Sequence, residues 1–81
     1  MISCNDYDYI EIACTYQYPI ILTLKSGEII HCSAKDTSLN NEREECIKVE
    51  VGDAERLVVL DEVKIMEAKV DNPHFQSVRF N

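Results

Sequence analysis

The pattern of apolar side chains changes period at Pro19, and that break constrains the fold more than any other feature of the 81-residue chain. Ahead of it, Ile10, Ala13 and Cys14 fall at i, i+3 and i+4, and Tyr9, Ile12 and Tyr16 widen the stripe. That spacing predicts a helix, over about residues 6–16, lying on something apolar. Asn5 offers a cap, and Asp6, Asp8 and Glu11 suit the positive end of the helix dipole. Pro19 ends the helical register, because its ring crowds the residue before it out of the helical conformation. Beyond it the period falls to two. Residues 20–25 and 28–35 flank Ser26-Gly27 and read as a hairpin. Residues 36–43 are polar and read as a loop. Residues 45–51 alternate, with Ile47, Val49 and Val51 on one side and Cys46, Lys48 and Glu50 on the other. Gly52-Asp53 makes a turn into a fourth strand, 55–61, whose Leu57 to Leu60 run is too apolar for a sheet with one wet face. A fifth strand, 63–70, slips phase by one residue after Ile65, which calls for a bulge or a sharp bend. Residues 74–80 carry Phe75, Val78 and Phe80 and fit either a sixth short strand or an ordered tail.

The resulting expectation is a mainly β chain: one N-terminal α-helix, then five consecutive antiparallel strands. Strands this short and few cannot form two full sheets. They can curl into a small, strongly bent barrel, SH3-like or Sm-like, with the helix over one open end. A single domain spanning 1–81 is expected, with the helix at about 6–16, the barrel at about 19–70 and a C-terminal tail at 71–81, because compact domains usually run to about 100–150 residues. A domain this small buries only roughly 60% of its unfolded surface. One thin core leaves little room for a deep cleft, which favours a binding module over an enzyme. Nucleotide-binding and nucleophile-elbow motifs need glycine-rich strand-to-helix turns, and only Gly27 and Gly52 exist, both at hairpin turns. His31 and Cys32 are strand neighbours and point to opposite faces. Neither catalytic residues nor a cofactor is expected.

Fifteen acidic residues against eight basic ones give a net charge of −7. Proteins that read nucleic acid present basic faces to phosphates, and anionic membranes attract the same charge. The lysines and arginines here are scattered, so direct contact with either is not expected. The complement of this charge is a basic surface on another protein, and the acids also serve solubility. Residues 1–8 have neither a charged start nor an apolar run, which leads us to expect a cytoplasmic chain. Thiols stay reduced there. Cys4, Cys14, Cys32 and Cys46 stand far apart, without the close pairing of a zinc or redox motif, and are expected as small apolar side chains rather than a metal site.

The most informative stretch is NDYDYIEIAC, residues 5–14. The first 18 residues hold three acids, all four tyrosines and no lysine or arginine. Two readings fit. The acids can simply answer the helix dipole while the tyrosines edge the core. Alternatively, carboxylates and flat rings together present what a single-stranded nucleic acid presents, to a groove built of basic side chains and aromatic platforms. This segment, with LTLKSGE at 22–28 and LVVLD at 57–61, resembles the Rof (YaeO) family, bacterial inhibitors of the transcription termination factor Rho. The likeness spans about residues 3–65, and its helix start is the most specific part. It implies a Sm-like barrel with an N-terminal helix. It also implies that the chain binds the N-terminal RNA-binding domain of the Rho hexamer and blocks RNA loading at the primary site, an antiterminator. Asp6, Tyr7, Asp8 and Glu11 would then face Rho, and the 40–45 loop is a further candidate. The rival reading, a Sm-like RNA-binding module, would require a basic strip made from Lys25, Lys35, Lys48 and Lys64.

Overall fold

The computed structural model describes residues 3–80. A helix, α1 (Cys4–Thr15), leads into β1 (Pro19–Leu24), β2 (Ile29–Leu39), β3 (Glu45–Val51) and β4 (Ala54–Val59). A short 3-10 turn at Leu60–Glu62 then precedes β5 (Val63–Ala68) and β6 (Ser77–Arg79). All strand pairs are antiparallel, in the order β4-β3-β2-β1-β5-β6. The expected helix and bent antiparallel sheet are both present. The sheet has six strands rather than five, and it remains open, with β4 and β6 as its edges.

The helix begins earlier than its apolar stripe suggests. Ser3 is the cap, its hydroxyl accepting from the Asp6 amide at 3.2 Å, and Asn5 sits inside the first turn. Asn5 was the wrong cap because the polar residue two places upstream supplies the same oxygen. Ile10, Ala13 and Cys14 are buried as expected, and α1 packs over β2.

Two bulges bend the sheet. Leu24 pairs with Val63 and Thr23 with Ile65, leaving Lys64 unopposed. The extra residue lets Val63 and Met66, three apart, both meet the alternating Leu24 and Leu22 in the core. This is the anticipated phase slip, and it leaves Ile65 on the outer face beside Thr23. On β2, Ala34 pairs with Val49 and Asp36 with Lys48, so Lys35 is extra. The strand continues through Thr37 and Ser38 to Leu39, where a loop was expected. Its outer half carries polar side chains without apolar alternation, yet it keeps its ladder with β3, with Thr37 and Ser38 opposite buried Ile47 and Cys46. The actual turn is short and built by Asn40, whose Oδ1 accepts from the amides of Glu42 and Glu44, each at 2.9 Å. This turn holds Arg43 at φ 64.

The degree of curling can be read from one ion pair. Register sets Arg56 level with Val49, and Val49 level with Ala34, six residues along β2 from Glu28. In a flat sheet that offset alone is roughly 20 Å. Arg56 nonetheless donates to both Glu28 carboxylate oxygens, at 2.7 and 2.9 Å. Only a strongly coiled sheet brings β4 over the β1–β2 turn in this way.

Residues 71–80, expected as a tail or short strand, are part of the core. Phe75, Val78 and Phe80 are buried, β6 pairs with β5, and the Phe80 amide donates to the Lys64 carbonyl at 2.8 Å. No helix of the described residues is long and apolar enough to cross a membrane.

Burial also sets the thiols. It pushes Cys14 up to about 11, with Asp36 and Glu11 adding to the effect. It pushes Cys32 up to about 11 against the opposing pull of Arg56 and Lys69. An unfolded thiol ionises near 9.0. The folded chain therefore keeps protons that the unfolded chain loses above that pH. Stability from these thiols is full below pH 9 and is lost as pH rises through about 11. We expect the denaturant midpoint to be flat up to pH 9 and then to fall, with a double Cys14→Ala, Cys32→Ala variant showing a shallower decline.

Candidate partner-binding surface

The helix start is assembled locally. Ser3 closes the first turn, and Asp6 adds a carboxylate where orphan amides concentrate. With about 100° between successive residues, Tyr7, Asp8 and Glu11 share one arc, while Asp6 turns toward the side of buried Ile10. Burial follows this geometry: Asp8 and Glu11 are exposed, and Asp6 and Tyr7 are half-buried. Of the four residues expected to face a partner, three thus form a contiguous outward ridge, with Asp6 at its margin.

Tyr7 joins this ridge to the far end of the sheet. It lines a hollow of about 180 Å³ with Arg43, Glu44 and Glu45 from the β2–β3 turn and Val59, Leu60 and Asp61 after β4. Glu11 borders a second hollow with Cys14, Thr15, Lys35, Asp36 and Thr37. Tyr7 is therefore the residue of the ridge that borders Glu44, Glu45 and Asp61, and Arg43 is the cation lining the first hollow. The acidity of 40–45 was visible in the sequence, but its position beside Tyr7 depends on β2 running to Leu39.

The four tyrosines do not act together. Tyr9 is two residues from Tyr7 and so projects from another side of the helix. It meets Phe75 edge-to-face, with centroids 5.8 Å apart. Tyr16 stacks on Tyr18 at 5.5 Å and on His74 at 5.2 Å. Tyr18 also contacts Phe75 at 6.1 Å. Tyr9, Tyr16 and Tyr18 thus belong to a cluster with the C-terminal segment, and only Tyr7 lies with the acids. The core-edge reading holds for Tyr9 and Tyr18, and in part for Tyr7, which also packs against the core, while Tyr16 stays 57% exposed.

The lysines of the rival RNA-binding reading are dispersed: Lys25 follows β1, Lys35 is the β2 bulge, Lys48 lies on β3 and Lys64 is the β5 bulge. Lys35 is engaged, donating to Gln17 at 3.3 Å and pairing with Glu50 at 3.5 Å. Cys4 is exposed, and Cys14, Cys32 and Cys46 are buried free thiols. Among the described residues no group of three or more His, Cys, Asp or Glu is placed to hold a metal ion.

Residues 1–80 match the family described as Modulator of Rho-dependent transcription termination (ROF). The chain is 34% identical over 62 residues to Protein rof of Escherichia coli (strain K12), covering 76% of this chain and 73% of that protein. Protein rof of Shigella flexneri matches to the same extent. The solved structure of YaeO bound to magnesium from Vibrio cholerae O395 superposes with a TM-score of 0.89 at 40% identity, covering 93% of this chain and 97% of that one.

Proposed function

We propose a mode of action for this chain, which belongs to the ROF family of modulators of Rho-dependent transcription termination: acting as one domain in the cytoplasm, it binds the N-terminal RNA-binding domain of Rho, keeps RNA off the primary site and so relieves termination. The observation that carries this reading is the outward ridge of Tyr7, Asp8 and Glu11, continuous through Tyr7 with Glu44, Glu45 and Asp61. A groove that binds single-stranded RNA offers basic side chains for phosphates and aromatic faces for bases. Carboxylates spaced along a rigid helix can take those cations as charge-assisted hydrogen bonds. A tyrosine ring among them supplies flat apolar area at little entropic cost. RNA must be ordered on binding, whereas these groups are held in place by the fold, which favours the protein in a competition for the same groove. The net charge of −7 adds long-range attraction toward a basic target and makes encounter fast and salt-sensitive.

The test is a competition experiment with purified Rho and a short unstructured RNA. Increasing amounts of this chain are expected to release the RNA and to remove the RNA stimulation of ATP hydrolysis, more effectively at low salt. Simultaneous binding of RNA and this chain to Rho would overturn the proposal. So would tight, salt-sensitive binding of the RNA to this chain alone.

A further inference from the structure

We propose that the turn at residues 71–76 is a clamp that sets the position of α1, with Asn72 and Phe75 as positioning residues for partner binding. The consequence for Rho rests on the reading above. The clamp itself does not.

The turn is built around one side chain. Asn72 Nδ2 donates to the carbonyls of Val70 and Phe75, each at 3.0 Å. Its Oδ1 accepts from the amides of His74 at 2.8 Å and Phe75 at 3.0 Å. Both ends of one amide group are thereby used, and the backbone that carries His74 and Phe75 is tied at three points and linked through Asn72 to Val70. Neither ring lies in a strand, so the position of each depends on this turn.

Those two rings hold the middle of the helix and its C-terminal end. Phe75 meets Tyr9 at 5.8 Å, one residue from Asp8 and two from Tyr7. His74 stacks under Tyr16, just past the helix C-terminus, at 5.2 Å. Tyr18 completes the set, 6.5 Å from His74 and 6.1 Å from Phe75. Tyr16 nonetheless remains 57% exposed. The contact therefore acts as a seat rather than as core packing.

Without the clamp, α1 keeps its packing over β2 through Ile10, Ala13 and Cys14. Those three side chains are clustered in the second and third turns. The first turn is held less tightly: Tyr7 is half-buried and rests on the edge of the core, Asp6 is half-buried beside it, and Asp8 is exposed. Edge-to-face and stacked ring contacts have directional preferences, which makes them suited to fixing a tilt that apolar contact alone leaves loose.

Two variants separate positioning from plain stability. Asn72→Ala removes the tie at a half-buried surface position, and Phe75→Leu keeps apolar volume while removing the ring. Amide hydrogen exchange is followed in α1 and in β1–β2, together with affinity for Rho. The expected result is exchange on the order of tenfold faster in α1, with β1–β2 unchanged, and a Rho affinity reduced by a similar factor. Phe75→Tyr, which retains the ring, is expected to restore both. If α1 and the strands accelerate together, or if neither changes, the clamp is wrong. Selective loosening of α1 with unchanged Rho affinity would overturn the positioning role, provided that Asp8→Lys weakens binding. If Asp8→Lys has no effect either, the failure lies with the proposed Rho-facing surface and the clamp stands.

Discussion

The double variant Asp8→Lys, Glu11→Lys is expected to bind Rho about a hundredfold more weakly while remaining folded, because reversing charge at the centre of an electrostatically matched interface replaces attraction with repulsion. Both side chains are exposed and on the same arc of α1, so each substitution removes little from the fold. Exposed changes usually stay within about 0.5 kcal/mol, and both positions lie beyond the first turn, where the helix dipole acts most strongly. Circular dichroism and the thermal midpoint check the fold, and titration calorimetry or anisotropy checks the affinity. The loss is expected to be larger at low salt, since the interaction between exposed charges is screened over about 10 Å at 0.1 M. Two controls sharpen the result. Glu55, exposed near the start of β4 and lining neither hollow, should tolerate the same reversal. Tyr7→Ala should weaken binding without changing its salt dependence, because it removes contact area and no charge. Unaltered affinity in the double variant would remove the ridge from consideration, even if the chain still competes with RNA.

Phe80→Ala is expected to lose about 3–5 kcal/mol of stability. At roughly 0.05–0.15 kcal/mol per residue, a chain of this length has about 4–12 kcal/mol in all. The substitution therefore removes a large fraction of it and can leave a substantial unfolded population at 37 °C. Phe80 is 3% exposed, and its amide is bonded to the Lys64 carbonyl at the β5 bulge. Removing the ring opens a cavity beside the β5 bulge, where the adjoining strand has only three residues, Ser77–Arg79, to hold it. Phe80→Leu, which conserves most of the volume, is expected to cost under about 1.5 kcal/mol. A denaturant series on the three proteins measures the difference. Equal stability of Phe80→Ala and the parent would mean that residues 71–80 do not belong to the cooperative core.

Residues close in sequence made most of the architecture readable in advance. The helix stripe of Ile10, Ala13 and Cys14 was legible because side chains three and four apart share a face. The β3 bounds, Glu45–Val51, were legible because alternation runs cleanly between two turn signals. The β5 slip was legible too, since a strand cannot otherwise keep Val63 and Met66 on one side. The β2 extension was not: Asp36, Thr37 and Ser38 look like loop because their strand character comes from a ladder with β3 and not from an apolar face. The site divides similarly. Asp8 and Glu11 could be placed on the outside of a helix from spacing alone. Tyr9 and Tyr16 could be assigned to the apolar stripe, but their partners could not be identified, because Phe75 and His74 lie about sixty residues away in the chain.

Period, charge and turn chemistry act over a few residues, so the order of amino acids was sufficient to specify one helix, a run of antiparallel strands and an acidic amino-terminal face. Which carboxylates join Tyr7, and which rings seat the helix, depends on how far the sheet coils. That coiling is set by two single-residue bulges, at Lys35 and Lys64, and by packing between segments at opposite ends of the chain. Such contacts carry no local pattern, because each partner taken alone looks like an ordinary surface or core residue.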